Sequence, residues 1–214
     1  MSIAKRIKKI KDKLSHDIKL VAVSKNRTLD EILDAYKNGQ VIFGENKVQE
    51  LVNKHKKLPK DIEWHMIGHL QTNKVKEIAP FISLIHSVDS EKLIKEINKR
   101  AGQNNRKINC LLQVHIAEEK NKYGFNISQV EEIVSKINTY QNIQVIGLMG
   151  MATHTDNQQK INMEFDKLKK LYEKFKNNHF NTLSMGMSND YVLAIKNQSN
   201  MIRVGSAIFG QRNN

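Results

Sequence analysis

The segment LVAVSKNRTLDEILDAYKNGQVIFGE, residues 20–45, has the pattern of a β-strand, an α-helix and a second β-strand. Thr28 and Glu31 form the S/T-x-x-E capping box that marks a helix start, and Asn38-Gly39 is typical of a helix end. Short runs rich in Val and Ile alternate with helix-forming segments along the rest of the chain. This alternation predicts an α/β fold in which helices connect parallel strands.

The apolar runs predict eight strands, and the polar segments between them predict the connecting helices. A second capping box, Ser128 with Glu131, and a basic amphipathic segment over Ala4–Leu14 indicate two of these helices. We expect a single TIM (β/α)₈ barrel domain over residues 1–214 with an extra N-terminal helix, and an open doubly wound sheet is the alternative. The predicted strands are Lys19–Lys25, Val41–Glu45, Glu63–His69, Leu84–Asp89, Ile108–Ile116, Ile143–Met151, Thr182–Met187 and Met201–Phe209.

The composition limits the classes of function. A formal net charge of +13 suggests an anionic partner, but the basic residues are mostly lysine, so the arginines that read bases are scarce and we expect no nucleic acid. Cys110 is the single cysteine, which excludes an intrachain disulfide and a multi-thiolate zinc site. No secretory signal or bilayer-spanning run is present, so we expect a cytoplasmic protein without membrane contact.

Functional groups of a barrel collect where the strands end at their carboxyl side. Lys25 closes the first predicted strand, and partial burial at a barrel mouth would leave its amine free to condense with an aldehyde. A solvated lysine is the simpler interpretation of this residue alone. His65 and His69 share a strand face by parity but lack a zincin motif and a third ligand, so we predict no metal site.

The last two predicted strands carry a candidate phosphate site. Ser188 can cap the helix that follows it and bind a phosphate oxygen, while Gly205 allows close approach to the backbone and Ser206 offers an amide and a hydroxyl. Arg203 faces the same side as Gly205 and can meet a ring nitrogen or a second anion. Turn and helix-cap roles would explain the Ser188 segment alone or the Gly205-Ser206 segment alone. Because both segments follow these two strands, a phosphate site is the favoured interpretation.

Six ordered motifs now carry a resemblance to a known family. The chain resembles the pyridoxal phosphate homeostasis protein family, also called the proline synthase co-transcribed family, over nearly its whole length. The third motif and the last two are highly specific. The motifs are Val21-Ala-Val-Ser-Lys25, Phe43-Gly-Glu-Asn46, Trp64-His-Met-Ile-Gly-His-Leu-Gln-Thr-Asn-Lys74, Gly147-Leu-Met149, Ser184-Met-Gly-Met-Ser188 and Arg203-Val-Gly-Ser-Ala-Ile-Phe-Gly210.

The resemblance implies a fold like the N-terminal barrel of alanine racemase, with pyridoxal 5'-phosphate as the cofactor. It implies that the cofactor is an aldimine, a Schiff base on Lys25, and that Arg203 faces the pyridine nitrogen. A permanent cation there disfavours protonation of that nitrogen and weakens the cofactor as an electron sink. The full set of expected cofactor-binding residues is Lys25, Asn46, Gly186, Ser188, Arg203, Gly205 and Ser206.

Members of this family are described as regulators of vitamin B6 supply without a well-established turnover reaction. The resemblance therefore implies a carrier of pyridoxal phosphate, with apo forms of pyridoxal phosphate enzymes as candidate recipients. Because no exposed apolar helix stands out in the sequence, we expect a monomer. The alternative is a racemase-like enzyme, which needs a second base opposite the lysine; His154 and Tyr123 are the candidates. The segments His115–Phe125 and Met151–His154 depart from the usual family pattern, so contacts from these mouth loops are not carried over.

Overall fold

The strands form a closed parallel barrel. The computed structural model describes residues 1–118 and 123–211, and within these ranges eight strands pair in chain order, with β1 also pairing with β8. This confirms the predicted α/β barrel and excludes the open sheet. The strands are β1 (Lys19–Val23), β2 (Ile42–Glu45), β3 (Glu63–Met66), β4 (Leu84–Val88), β5 (Ile108–Val114), β6 (Ile143–Gly150), β7 (Thr182–Ser184) and β8 (Met201–Val204).

Helices connect the strands around the outside of the barrel. The expected extra N-terminal helix is confirmed as α1, and the helices of the described part of the chain are α1 (Ile3–Lys11), α2 (Leu29–Lys37), α3 (Val48–Lys57), α4 (Val75–Ile78), α5 (Glu91–Gln103), α6 (Ile127–Lys136), α7 (Gln158–Phe175), α8 (Tyr191–Lys196) and α9 (Ser206–Phe209). In that same part of the chain, none of these helices is long and apolar enough to cross a lipid bilayer.

The helix caps match the sequence in one case and differ in another. The Thr28–Glu31 capping box of α2 is confirmed in both directions. The predicted box at Ser128 and Glu131 is wrong, because α6 begins two residues earlier with Asn126 as its cap. The Asn126 side chain accepts from the Gln129 amide, and the Gln129 side chain accepts from the Asn126 amide. Amide side chains therefore make here the reciprocal bonds expected of Ser and Glu.

Most strands end earlier than predicted, and the eighth differs most. It stops at Val204, whereas the prediction extended it to Phe209; residues Ser206–Phe209 form the short helix α9 instead. The amides of Ile208 and Phe209 both donate to the Gly205 carbonyl, and Arg6 of α1 donates to the Ile208 carbonyl. An apolar run this short fits a buried helix as well as a strand, and packing against α1 selects the helix.

Side chains alternate along each strand between the barrel interior and the surrounding helices. On β1, Leu20 and Ala22 belong to the large core between sheet and helices, whereas Val21 packs with Leu84, Leu111, Met149 and Met201 in a second cluster. Since alternate residues of a strand face the same side, Val23 follows Val21 toward the interior. Lys25 lies beyond the end of β1 and lines the cavity at the mouth.

Candidate functional site

A cavity of about 750 Å³ opens at the carboxyl ends of the strands, within the usual range for small-molecule sites. The ends of β1, β2, β3, β6, β7 and β8 contribute to it, as do α7 and α8. The cavity thus lies where barrel enzymes and barrel binding proteins place their ligands. Of the residues expected to bind a cofactor, its lining contains Lys25, Asn46, Ser188, Arg203, Gly205 and Ser206.

Lys25 stands just beyond β1, where the chain turns out of the barrel. Val23 pairs with Gly44 of β2, and Ala22 pairs with Val204 of β8. Lys25 therefore lies between the strand ends that carry Asn46 on one side and Gly205 on the other. The Arg27 amide donates to the Ser24 carbonyl at 3.0 Å and closes this turn. The Lys25 side chain is half-buried.

A buried ionic cluster lies behind Lys25, on β2 and α3. The Lys54 ammonium contacts Glu45 Oε1 at 2.7 Å and Glu50 Oε1 at 2.6 Å. The Glu45 carboxylate is fully buried and also accepts from the Ser24 hydroxyl. Burial raises the pKa of Glu45 above its ordinary value, although Lys54 and Ser24 oppose this shift. Sequence reasoning missed this cluster, and the i,i+4 spacing of Glu50 and Lys54 was its available signal.

Ser188 connects the loop after β7 with the turn after β8. Its Oγ accepts from the Gly205 amide at 3.1 Å and lies 3.5 Å from the Ala207 amide. The expectation that Ser188 caps the next helix is wrong: α8 follows Asp190, whose carboxylate accepts from the Met187 amide. Because Ser188 Oγ accepts from backbone amides, its own O–H is left to donate elsewhere. Hydroxyls and amides on one wall suit a bound anion.

Gly205 and Gly186, the two glycines expected in the site, differ in the structural reason for a glycine at that position. Gly205 has φ −114°, and the three nearest atoms to a Cβ there, apart from the adjoining residues, belong to Val23 at 3.4–3.7 Å. Neither a left-handed conformation nor close packing requires a glycine, but a methyl group would take up space at the cavity wall. This open wall fits a phosphate held close to the backbone.

Gly186 lies behind the cavity and, among the described residues, is not part of its lining. Its φ is +95°, and a Cβ would sit 2.6 Å from Ala194 Cβ. The Gly186 carbonyl accepts from the Arg203 amide at 2.9 Å. Backbone conformation and packing thus require glycine here, and its place in cofactor binding stays a prediction.

Arg203 lines the cavity although it is only 3% exposed. Its Nη1 donates to Ser184 Oγ at 2.7 Å, and its Nη2 donates to the Gly150 carbonyl at 3.1 Å. Burial lowers the pKa of Arg203 to about 10, against the opposing effect of the Asp190 carboxylate. The guanidinium is therefore still a cation at neutral pH, fixed by two hydrogen bonds at the cavity surface.

A buried polar chain continues from Arg203 into the barrel. Ser184 Oγ lies 3.1 Å from His86 Nδ1, and His86 Nε2 lies 3.0 Å from His65 Nδ1. Burial lowers the pKa of His65 to about 3 and that of His86 well below its ordinary value, so both rings are neutral near pH 7. Ser184 Oγ accepts from Arg203; in the tautomer in which its O–H donates to His86 Nδ1, His86 Nε2 donates to His65 Nδ1.

Sequence reasoning considered His65 only as a metal ligand and missed this chain. The sequence did contain a sign of this hydrogen-bonded chain, because polar residues occupy interior-facing positions of several strands. His69 lies beyond the end of β3, where its ring contacts Asp89 Oδ2 at 3.0 Å. The described ranges contain no group of three His, Cys, Asp or Glu side chains that could hold a metal ion. Cys110 is buried, as expected for a core residue, and burial raises its thiol pKa.

The two candidate second bases lie in different places. His154 lines the cavity, together with Met151 of the same segment. Tyr123 is 58% exposed and stacks on the His69 ring at 3.9 Å between centroids. It is not part of the described lining. Within the departing segment His115–Phe125, residues 119–122 lie outside the described residues.

Comparison with known proteins gives one consistent result. Residues 1–213 match the family model described as alanine racemase, N-terminal domain. A protein of Helicobacter pylori (strain ATCC 700392 / 26695) named pyridoxal phosphate homeostasis protein is 42% identical over 197 residues, which cover 91% of this chain and 88% of the relative.

Solved structures agree with the sequence matches. PipY of Synechococcus elongatus PCC7942 is 32% identical, and the alignment covers 98% of this chain and 100% of PipY. Its structure without PLP has a TM-score of 0.93, and its structure with PLP bound has a TM-score of 0.89. Alanine racemase from E. faecalis has a TM-score of 0.80 at 15% identity over 99% of this chain and 58% of that one, which shows a shared fold.

Proposed function

Because this chain belongs to the pyridoxal phosphate homeostasis protein family, we propose that it binds pyridoxal 5'-phosphate and acts in the homeostasis of that cofactor. One observation carries the proposal. The Lys25 side chain, the Ser188–Gly205–Ser206 wall and the buried Arg203 guanidinium all line one cavity. They supply an amine for an aldehyde, donors for a phosphate and a cation for the ring nitrogen. The solved PipY structure with PLP bound supports the same cofactor.

Lys25 is the proposed covalent attachment point. Its amine nitrogen forms a bond to the aldehyde carbon of the cofactor, and the carbonyl oxygen leaves as water. The resulting Schiff base is reversible, because water or a second amine can displace Lys25. Reversible attachment suits a protein that stores the cofactor and hands it over. The turn closed by Ser24 and Arg27 sets where the Lys25 side chain leaves the backbone.

Each remaining residue has a proposed contact of its own. Ser188 and Ser206 bind the phosphate through hydroxyl and amide donors, next to the start of α9. Gly205, whose amide donates to Ser188, lets the phosphate approach the backbone. Asn46 lines the cavity beside Lys25 and supplies a polar side chain to its wall. Gly186 contributes indirectly, through the bond between its carbonyl and the Arg203 amide.

We propose a carrier rather than an enzyme because of Arg203. When bound, pyridoxal phosphate can stabilise a carbanion most strongly if its pyridine nitrogen is protonated. A cation fixed by Ser184 and the Gly150 carbonyl opposes that protonation. We further propose that the protein is a cytoplasmic monomer and that apo forms of pyridoxal phosphate enzymes receive the cofactor from it.

An absorption spectrum between about 320 and 450 nm tests the site, because an imine of this cofactor absorbs in that range. After pyridoxal phosphate is added and the unbound cofactor, which also absorbs there, is removed, we expect the wild type to keep an imine band that Lys25→Ala lacks. Lys196→Ala is the matched comparison, since Lys196 also lines the cavity. A band that persists in Lys25→Ala, or that disappears in Lys196→Ala, would refute the assignment of Lys25. Turnover of amino acids by the loaded wild type would favour the racemase-like alternative.

A further inference from the structure

Two side chains of α3 bind the peptide groups on either side of Lys25, one side chain to each group. The Ser24 carbonyl accepts from Lys54 Nζ at 2.6 Å. The Asn26 amide donates to Glu50 Oε1 at 2.6 Å. Because these contacts flank Lys25 on either side, they fix the backbone direction at the point where its side chain leaves the chain.

These contacts belong to the buried ionic cluster of Glu45, Glu50 and Lys54. The side chain of Lys54 is 5% exposed, that of Glu45 is fully buried and that of Glu50 is 22% exposed. Removing charges from water in this way is costly, and buried ion pairs often stabilise a fold no better than apolar side chains would. Stability is therefore a weak explanation for the cluster, and a role in fixing one particular conformation is a better one.

The cluster contacts a turn with a special conformation. Asn26 has φ +57°, in the left-handed region that asparagine adopts more readily than most residues with a side chain. The Asn26–Glu50 bond and the Ser24–Lys54 bond oppose relaxation of this turn. Among the described residues, Glu45, Glu50 and Lys54 do not line the cavity, so they influence it through the backbone of residues 24–26.

We propose that Glu50 and Lys54 are positioning residues for Lys25. They hold the turn so that the Lys25 amine lies close to the aldehyde in the cavity. They do not contribute to noncovalent binding of the phosphate or the ring. The inference rests on the proposed function, because it concerns covalent capture by Lys25. It predicts that loss of the Glu50 contact weakens capture of an aldehyde and leaves binding of a non-aldehyde analogue unchanged.

The test compares two ligands that share phosphate and ring. Pyridoxal phosphate can condense with an amine, whereas pyridoxine 5'-phosphate carries an alcohol at that carbon and cannot. For Glu50→Ala we expect an affinity for pyridoxal phosphate roughly tenfold lower or more, since small misplacements of reacting groups have effects of that size. We expect the affinity for pyridoxine 5'-phosphate to stay within about twofold. Glu50→Gln, whose side-chain oxygen can still accept from Asn26, should recover part of the loss.

A matched control uses another carboxylate on a helix. Glu96 of α5 pairs with Arg100 at 2.6 Å in the same i,i+4 arrangement and is 22% exposed, as Glu50 is. Glu96→Ala should change neither affinity. Thermal unfolding of each variant without ligand shows whether it is folded. If Glu50→Ala does not fold, the test uses Glu50→Gln and compares its affinity for pyridoxal phosphate with its affinity for pyridoxine 5'-phosphate.

The outcomes separate the inference from the proposed function. A wild type without a Lys25-dependent band would overturn the proposed function itself. A wild type with that band, together with Glu50 variants that lose both ligands equally, would overturn the inference in favour of a purely structural role. Unchanged binding of both ligands by folded Glu50 variants would overturn it as well.

Discussion

Adding one methyl group should weaken cofactor binding at Gly205 and lower stability at Gly186. The nearest atoms to a Cβ at Gly205 belong to Val23, from 3.4 Å, which is ordinary contact, and the φ of −114° lies outside the left-handed region. A Cβ at Gly186 would sit 2.6 Å from Ala194 Cβ at a φ of +95°. Gly205→Ala is therefore expected to fill the cavity wall of a folded protein, whereas Gly186→Ala is expected to strain the fold.

The size of each effect follows from these contacts. At Gly186 the left-handed conformation costs about 1–2 kcal/mol and overpacking about 1–3 kcal/mol. Together these lower the melting temperature by roughly 4–20 °C for a chain of this length. At Gly205 the unfolding free energy should change by no more than about 1 kcal/mol. A methyl group in the phosphate wall should cost about 1–3 kcal/mol of binding, or roughly 5- to 150-fold in Kd.

Thermal unfolding without ligand and titration with pyridoxal phosphate measure the two effects separately. Gly205→Ala should melt like the wild type and bind weakly. Gly186→Ala should melt early and, at a temperature where it is folded, bind better than Gly205→Ala does. Wild-type affinity in Gly205→Ala would refute the phosphate wall, and wild-type melting in Gly186→Ala would refute the account of Gly186.

Three further predictions concern the same wall and the buried chain behind it. Ser188→Ala removes the hydroxyl that accepts from the Gly205 amide and should weaken pyridoxal phosphate binding about five- to tenfold by titration, with unchanged affinity as the contrary result. Ser184→Ala leaves Arg203 and His86 without their shared partner and should lower the unfolding free energy by about 1–3 kcal/mol in urea; a neutral effect would contradict the buried chain. The pKa of His65 is about 3 in the folded state, so the unfolded state binds more protons between about pH 6.5 and 3. The unfolding free energy should therefore fall as pH falls through that window, by up to about 1.4 kcal/mol per pH unit for this residue. His65→Asn should flatten that dependence in urea titrations, and an unchanged slope would argue against a neutral buried His65.

The barrel was predictable because its local signals agree with one another. The capping box at Thr28, the turn at Asn38-Gly39 and the apolar runs all predict the same alternation of strands and helices. Strand ends were less predictable, because the sequence does not show where pairing stops and the mouth turns begin. The run from Ser206 to Phe209 is the clearest case, because it forms a helix that packs against α1.

Residues of the cavity could be predicted where strand alternation and closeness to a strand end decide whether a side chain reaches the barrel mouth. Arg203 lies at an interior-facing position of β8, Lys25 lies just beyond the end of β1, and both line the cavity. The positions of Glu50 and Lys54 were not predictable in the same way, because an i,i+4 pair on a helix is usually solvent-exposed. Only the three-dimensional structure shows Lys54 buried against the Ser24 carbonyl.

The most direct test of the central claim is to locate the covalent attachment. The protein is mixed with pyridoxal phosphate, reduced with borohydride to make any imine permanent, digested and examined by mass spectrometry. The proposed function predicts one dominant modified peptide, with the pyridoxyl phosphate group on Lys25. Modification spread over many lysines, or concentrated on a lysine other than Lys25, would contradict it.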